Sequence, residues 1–504
     1  MLENMLMGFD VIFSWQNLLL IVLGVSIGIL VGATPGLSGS TGVALLLPFT
    51  FGLPVTSSLV VLCALYTAAE YGGSITAIAI NTPGTPAAVA TAFDGYPLFQ
   101  QGKGGKALGV SIVASTYGGL FSTLVLIFAS VPLANFALRF GPPEYFALGV
   151  FGLTIIASLS SENWVKGFVA AVLGLLLKTV GVDPFSGYPR FIFGKFELMN
   201  GFHIVPVLLG LFAVSEVFRM LEEEIGERKL MDKTFGRILP TIKEYIGLIP
   251  TILRSGVIGV VIGVMPGAGA TIASLISYDQ AKKMSKNPEK FGKGALEGVA
   301  ASEAANNASV GGALIPLLAL GVPGSATTAI LVGALMMKNI TPGPELFSKM
   351  PEVVYGLFAS LLLANIVMLI VGLGATNIWV RVNRIPKTVL CAAILAISFV
   401  GSYAIGNSLF DVWVLLGFGV LGYVFKRYGF PVAPIVLAMV LGFMVESSFR
   451  RALLTSGGDY RIFFHSGISV ALLIMAVISF CLPFISEYRR RKKARTMANI
   501  DIER

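Results

Sequence analysis

The groups with most to offer chemically gather at four Pro-Gly pairs, each set inside an apolar run: Pro35-Gly36, Pro83-Gly84, Pro266-Gly267 and Pro323-Gly324. Proline lacks the amide donor and glycine gives up the most backbone freedom, so neither continues a helix cleanly. In hydrocarbon the freed N–H and C=O groups need protein or trapped water as partners, which confines such breaks to protein-lined cavities. Small polar residues cluster there, and no Lys or Arg does. A helix restarting after a break aims N–H groups and hydroxyls at an anion, while side-chain oxygens and unwound carbonyls suit Na+. We therefore take Gly36, Ser38, Ser40, Asn81, Thr82, Gly84, Thr271, Gly324, Ser325 and Thr327 as candidate solute contacts, and Asn306, Asn307 and Gly321 as candidate cation contacts. Without a basic side chain at the breaks, a bound acid needs a co-ion for positive charge. That combination points to cation-coupled uptake of a carboxylate.

The breaks form a doubled pattern. Residues 72–91 and 311–331 each open on Gly-Gly, run through apolar residues and reach Pro-Gly, and each is preceded by a partner break at Pro35 or Pro266. The pairs Leu98-Phe99 and Leu346-Phe347 extend the likeness beyond the breaks. Single interruptions are ordinary packing kinks, because Gly and Pro are common in membrane helices. Matching interruptions in two halves point instead to the binding site of a secondary transporter.

The elements that must position these breaks are membrane helices. The chain has 504 residues, 55% of them hydrophobic and 12% charged, with a mean hydropathy of +0.83, which defines an all-α integral membrane protein rather than a soluble domain. Apolar runs give about ten to twelve crossings. In the first half they fall near residues 15–33, 57–69, 107–134, 143–160, 166–182 and 203–220, and in the second near 352–374, 388–406, 409–425, 430–445 and 467–486. Residues 246–280 form either two crossings or a re-entrant hairpin tipped by Pro266-Gly267. Residues 94–106 and 183–196 read as turn-rich loops, and 297–308 as a small-residue helix with Glu303 and Asn307 on one face. The alternative for 297–308 is a solvated connector beside a basic loop.

Basic residues concentrate at 228–243, 282–293 and 489–495. The positive-inside bias places all three stretches, and with them the C-terminus, in the cytoplasm, and the N-terminus outside. That assignment requires an odd number of crossings before residue 222, a constraint on parity and not on the identity of each span, and an odd first half turns the second half over. The expected organisation is thus a first transmembrane repeat at 1–221, a cytoplasmic charged linker at 222–245, an inverted second repeat at 246–488 and a basic cytoplasmic tail at 489–504. The tail reads as a topology anchor or a contact for anionic lipid, not a nucleic-acid site.

Other chemistries find little support. The glycine- and lysine-rich run at 102–107 lacks the spacing of a nucleotide-phosphate loop, which disfavours ATP-driven transport by this chain. Cys63, Cys391 and Cys481 are isolated, His203 and His465 lie far apart in the chain, and no metal-ligand spacing appears. No nucleophile and base assemble into an intramembrane enzyme, and no cofactor beyond the coupling ion, Na+ or H+, is expected. A passive channel for small organic anions is the competing reading.

The motifs Pro35-Gly36, Tyr71-Gly72-Gly73-Ser74, Asn81-Thr82-Pro83-Gly84, Glu303-Ala304-Ala305-Asn306-Asn307 and Gly321-Val322-Pro323-Gly324-Ser325 resemble the large membrane subunit of the bacterial tripartite tricarboxylate transporters. The resemblance covers residues from about 15 to 445, with Thr85 as a departure from the family motif. It implies a secondary transporter of the bacterial cytoplasmic membrane, driven by an ion gradient. Its implied partners are a small four-helix membrane subunit and a periplasmic solute-binding protein that delivers a carboxylate. Assembly as a homodimer is left open.

Overall fold

The computed structural model describes residues 2–159, 164–222, 240–374, 386–481 and 483. Most of the linker expected at 222–245 and the whole tail at 489–504 lie outside the described residues. The remainder is almost wholly helical, apart from a two-residue ribbon pairing Gly181–Val182 with Pro189–Arg190. Among the described residues nine helices are long and apolar enough to cross a membrane, and Gly39–Thr50, Ala326–Met337 and Gly467–Cys481 are shorter apolar helices. The protein is an all-α, multi-pass membrane protein.

Two compact units emerge. One comprises Met1–Leu138 with Phe202–Val424, and the other Arg139–Gly201 with Phe425–Arg504. In the second unit the Ala433–Thr455 helix packs on Pro142–Leu159 and Trp164–Lys178. There Arg450 binds Asp183 at 2.7 Å and Glu446 at 3.1 Å. The first unit holds all four breaks.

Its core is built from two helix pairs that share one packing scheme. Gly24, Gly28 and Gly32 line one face of the Trp15–Gly32 helix at four-residue spacing, and Val61, Leu65 and Ala69 of the Val55–Ile80 helix lie against them so closely that any side chain would strike backbone. The second pair repeats this. Gly259 and Gly263 of the Ile242–Val264 helix meet the backbone of Ala305 and Ser309 in the Leu296–Leu320 helix. Small residues permit such approach, and dispersion and weak polar contacts then hold helices together where lipid supplies no hydrophobic drive.

Each long central helix ends in the same way. At Asn81 (φ 54°) and at Gly321 (φ 74°) the chain turns left-handed, and the next amide reaches back to the Thr76 and Pro316 carbonyls at 3.3 and 3.2 Å. That cap, followed by Pro83 or Pro323, stops the helix.

Several boundaries differ from the sequence reading. The span expected at 57–69 continues without interruption to Ile80, because packing on all sides overrides the weak helix preference of Gly72 and Gly73. Residues 94–106, read as a loop, contain most of the Val89–Gln100 helix with Pro97 inside it. The Leu2–Ile12 helix, packed on Pro351–Gly374, was not anticipated.

Candidate functional site

The first break leaves Pro35 and Gly36 partly exposed, with Gly36 at φ 98°. Ser38 then starts the Gly39–Leu46 helix, its Oγ accepting the Thr41 amide at 3.2 Å, an N-cap that leaves the remaining first-turn N–H groups pointing back at the break. Ser40 Oγ bonds Ser38 Oγ at 2.8 Å and Thr41 Oγ1 bonds it at 3.0 Å. Thr41 also donates to the Phe212 carbonyl at 3.4 Å. Phe212 belongs to a widened π turn, Leu209–Val214, within the Ile204–Glu222 helix, a distortion that often accompanies functional sites.

The last break of the second half restarts in the same manner. Ser325 caps the Ala326–Met337 helix by exchanging hydrogen bonds with Thr328: the Thr328 amide donates to Ser325 Oγ at 3.2 Å and the Ser325 amide to Thr328 Oγ1 at 2.8 Å. This helix packs against Gly39–Leu46. Tyr66, from the Val55–Ile80 helix, joins them: its hydroxyl lies 3.2 Å from Ser325 Oγ and also meets Thr327. A methyl group on Gly39 would stand 3.2 Å from Glu70 Oε1. Glu70 therefore faces the start of the Ser38-capped helix.

The corners touch within each half, and the segments that follow them touch across halves. Gly84 lies against the Gly32 carbonyl with no room for a side chain, and the Gly267 amide donates to the Gly324 carbonyl at 3.1 Å. Across halves, Ser274, one turn after Thr271, donates to the Ala87 carbonyl at 2.8 Å, just beyond the Pro83-Gly84 break. Asn81 is exposed, Thr82, Pro83, Pro266, Thr271 and Gly321 are partly accessible, and Gly84, Pro323, Gly324, Ser325 and Thr327 are buried. The structure thus brings Ser38, Ser40, Ser325 and Thr327 to one place. Thr271 lies one turn before Ser274, whose partner Ala87 follows the 81–84 corner.

Asn306 and Asn307 sit where the two central helices cross, with no exposed surface. Their amides donate to the Glu70 and Thr67 carbonyls, each at 3.0 Å. Their Oδ1 atoms are buried and find no hydrogen-bond partner among the described residues, nor does Thr85 Oγ1. Unpaired buried oxygens are costly and suit a cation with oxygen ligands. Thr85 and Asn306 occupy, in the duplicated register, the places of Ser325 and Tyr66. Where Tyr66 and Ser325 bond each other, the shorter Asn and Thr leave their oxygens unsatisfied.

Sequence reasoning missed several participants. Tyr66 carried no signal beyond its place in an apolar run. Nor was a basic group expected at the breaks, yet a methyl on Gly36 would stand 3.2 Å from Glu216 Oε1 and 3.4 Å from an Arg219 nitrogen. Arg219 Nε donates to Glu216 Oε1 at 2.8 Å. His203 bonds Asp411 at 3.0 Å, a single carboxylate. Among the described residues no group of three or more His, Cys, Asp or Glu is placed to hold a metal ion.

The chain is 37% identical over 492 residues to an uncharacterized 52.8 kDa protein of Agrobacterium vitis, in the TAR-I ttuC' 3' region, covering 98% of both chains. A second protein of that organism, uncharacterized and in the TAR-II ttuC' 3' region, is 39% identical over 234 residues, which cover 46% of this chain and 97% of the relative. No solved structure matches. The model of the tripartite tricarboxylate transporter TctA family matches residues 18–437, and with the four breaks lying inside that span the chain belongs to this family of membrane transport proteins.

Proposed function

We propose that the chain is the large permease subunit of a secondary transporter that imports a carboxylate, a di- or tricarboxylate or related organic acid, against its gradient. One observation carries the reading: the helices that start at Ser38 and Ser325, from opposite halves of the chain, pack on each other, with the Tyr66 hydroxyl on Ser325 and the Tyr66 ring beside Gly39. Two capped helix N-termini facing one locus favour negative charge there. Arg219, ion-paired with Glu216, lies beside Gly36 and offers its guanidinium N–H groups to an anion there. Coupling comes from Na+ or H+, with the unpaired oxygens of Asn306 and Asn307 and the carbonyls near Gly321 as the oxygen donors for Na+. The two packing schemes are inverted repeats, and alternate exposure follows from their exchange.

In the same reading the protein sits in the bacterial cytoplasmic membrane with its C-terminus inside. It works with a small membrane subunit and takes its solute from a periplasmic binding protein. Labelled carboxylates offered to vesicles containing all the subunits provide the test. Accumulation that needs an imposed ion gradient supports transport; equal flux with and without the gradient indicates a passive channel.

A further inference from the structure

Glu303 is fully buried in the Leu296–Leu320 helix, and among the described residues it has no ion-pair partner. Its carboxyl meets hydroxyls instead. Ser115 Oγ donates to Oε2 at 2.9 Å, and Thr91 Oγ1 shares a short hydrogen bond with Oε1. Thr91 Oγ1 lies 2.9 Å from Ser302 Oγ, which reaches the Gly298 carbonyl at 3.0 Å and that of Val299 at 3.1 Å. Three helices supply this set: Val89–Gln100, Gly104–Ala137 and Leu296–Leu320.

Resting on the transport reading, we propose that Glu303 is the group that takes up and releases the coupling proton, with Thr91, Ser302 and Ser115 as the hydroxyls that accommodate the change. In the neutral form Oε1–H donates to Thr91, Thr91 to Ser302 and Ser302 to the Gly298 carbonyl, so every hydroxyl donates once. When the proton leaves, Thr91 turns and donates to Oε1, while Ser302 keeps its carbonyl. One hydroxyl rotation links the two states, and neither leaves a donor unpaired. The ionised form has two hydroxyl donors but no countercharge, which makes it dependent on opening toward water or on a passing cation.

The titratable groups facing Glu303 are Glu70 and Tyr71 of the Val55–Ile80 helix. From Gly104–Ala137 it meets Ser111 and Ser115, and from Val89–Gln100 it meets Thr91, with Asp94 one turn further along, already bonded to Tyr278. In the register of the two packing schemes the first-half counterpart of Glu303 is Cys63, so the carboxyl of this arrangement belongs to one half alone.

The test uses the full chain with its partner subunits in lipid vesicles, read in two ways. Infrared difference spectra on raising the pH should show loss of a neutral-carboxyl stretch in the wild type, and no such change in Glu303→Gln. Thr91→Val should keep the band and move its titration midpoint. Uptake of a labelled carboxylate panel driven by a proton gradient, followed with an internal pH dye, should fall at least about tenfold in Glu303→Gln, while solute exchange without a gradient persists. A wild-type-like infrared change in Glu303→Gln, or unimpaired proton-driven accumulation by it, overturns the proposal. The infrared arm needs no transported solute. Wild-type uptake under a Na+ gradient alone also overturns the proposal, whereas absence of uptake of the whole panel under a proton gradient and equally under a Na+ gradient would sink the transport reading, while the spectra still decide whether Glu303 exchanges a proton.

Discussion

Asn307 Nδ2 donates to the carbonyl of Thr67 across 240 positions of sequence. The same separation relates Asn81 to Gly321, Pro83 to Pro323 and Gly84 to Gly324, so the bond joins residues that are counterparts in the two packing schemes. It marks the place where the two copies meet. The breaks are arranged around that crossing by glycines that admit backbone and nothing larger.

Equivalent glycines should therefore respond alike. Gly32→Val and Gly263→Val each drive a side chain into backbone, of Ala69 in one case and of Ser309 in the other. Each should cost at least about 1–3 kcal/mol and lower the melting temperature of the chain in lipid nanodiscs. Gly247→Ala, where no atom lies within 4 Å, should not lower it. A Gly32→Val protein melting like the wild type would mean that the close approach carries no weight.

Asp94, in the Val89–Gln100 helix that follows the Pro83-Gly84 break, ties the first half to the start of the second half's central helix. Its Oδ1 accepts the amides of Gly292, Gly294 and Ala295, each at 2.8 Å, and its Oδ2 accepts the Tyr278 hydroxyl at 2.9 Å. Asp94→Asn should destabilise by about 2–3 kcal/mol and Tyr278→Phe by about 1 kcal/mol. Hydrogen exchange at Gly292, Gly294 and Ala295 is the direct reading: it should accelerate in Asp94→Asn, and unchanged protection would refute the tie.

How much of this was legible beforehand can be judged from particular residues. Pro83 and Pro323 announced where helices stop, because proline acts through its own covalent structure, and apolar length announced the spans. The role of Asp94 was invisible, since its partners are backbone amides some 200 positions away. Arg219 and Tyr66 were missed for a similar reason: nothing local marks a side chain that acts beside a distant break. Glu303 was legible as unusual, but only packing reveals that hydroxyls and not a basic group surround it.

Arg219 should matter to an acidic solute. If the guanidinium beside Gly36 attracts the carboxylate, Arg219→Ala should raise the concentration for half-maximal uptake at least about tenfold, with Arg219→Lys intermediate because it keeps charge but loses the planar fork. Concentration series in vesicles read this out. Equal half-saturation in all three proteins would remove Arg219 from the site.

In the other unit, Asp183 is held well below the usual carboxylate range, first by the Phe185 amide and then by Arg450. Its contribution to stability is accordingly present above the unfolded value near 4 and is lost as the pH falls through the lower folded value. Arg450→Ala should raise that folded value toward the ordinary one, so that the loop at 183–190 loosens at a higher pH than in the wild type. Limited proteolysis across an acid series follows it; identical profiles would show that Arg450 does not hold Asp183.

The most direct measurement of the central claim is gradient-driven uptake of labelled carboxylates by vesicles carrying all the subunits, wild type beside Ser325→Val. The expected result is accumulation by the wild type only under an imposed ion gradient, and its loss in a Ser325→Val protein that still inserts into the membrane. Undiminished accumulation by Ser325→Val, or flux in the wild type indifferent to any gradient, would contradict it.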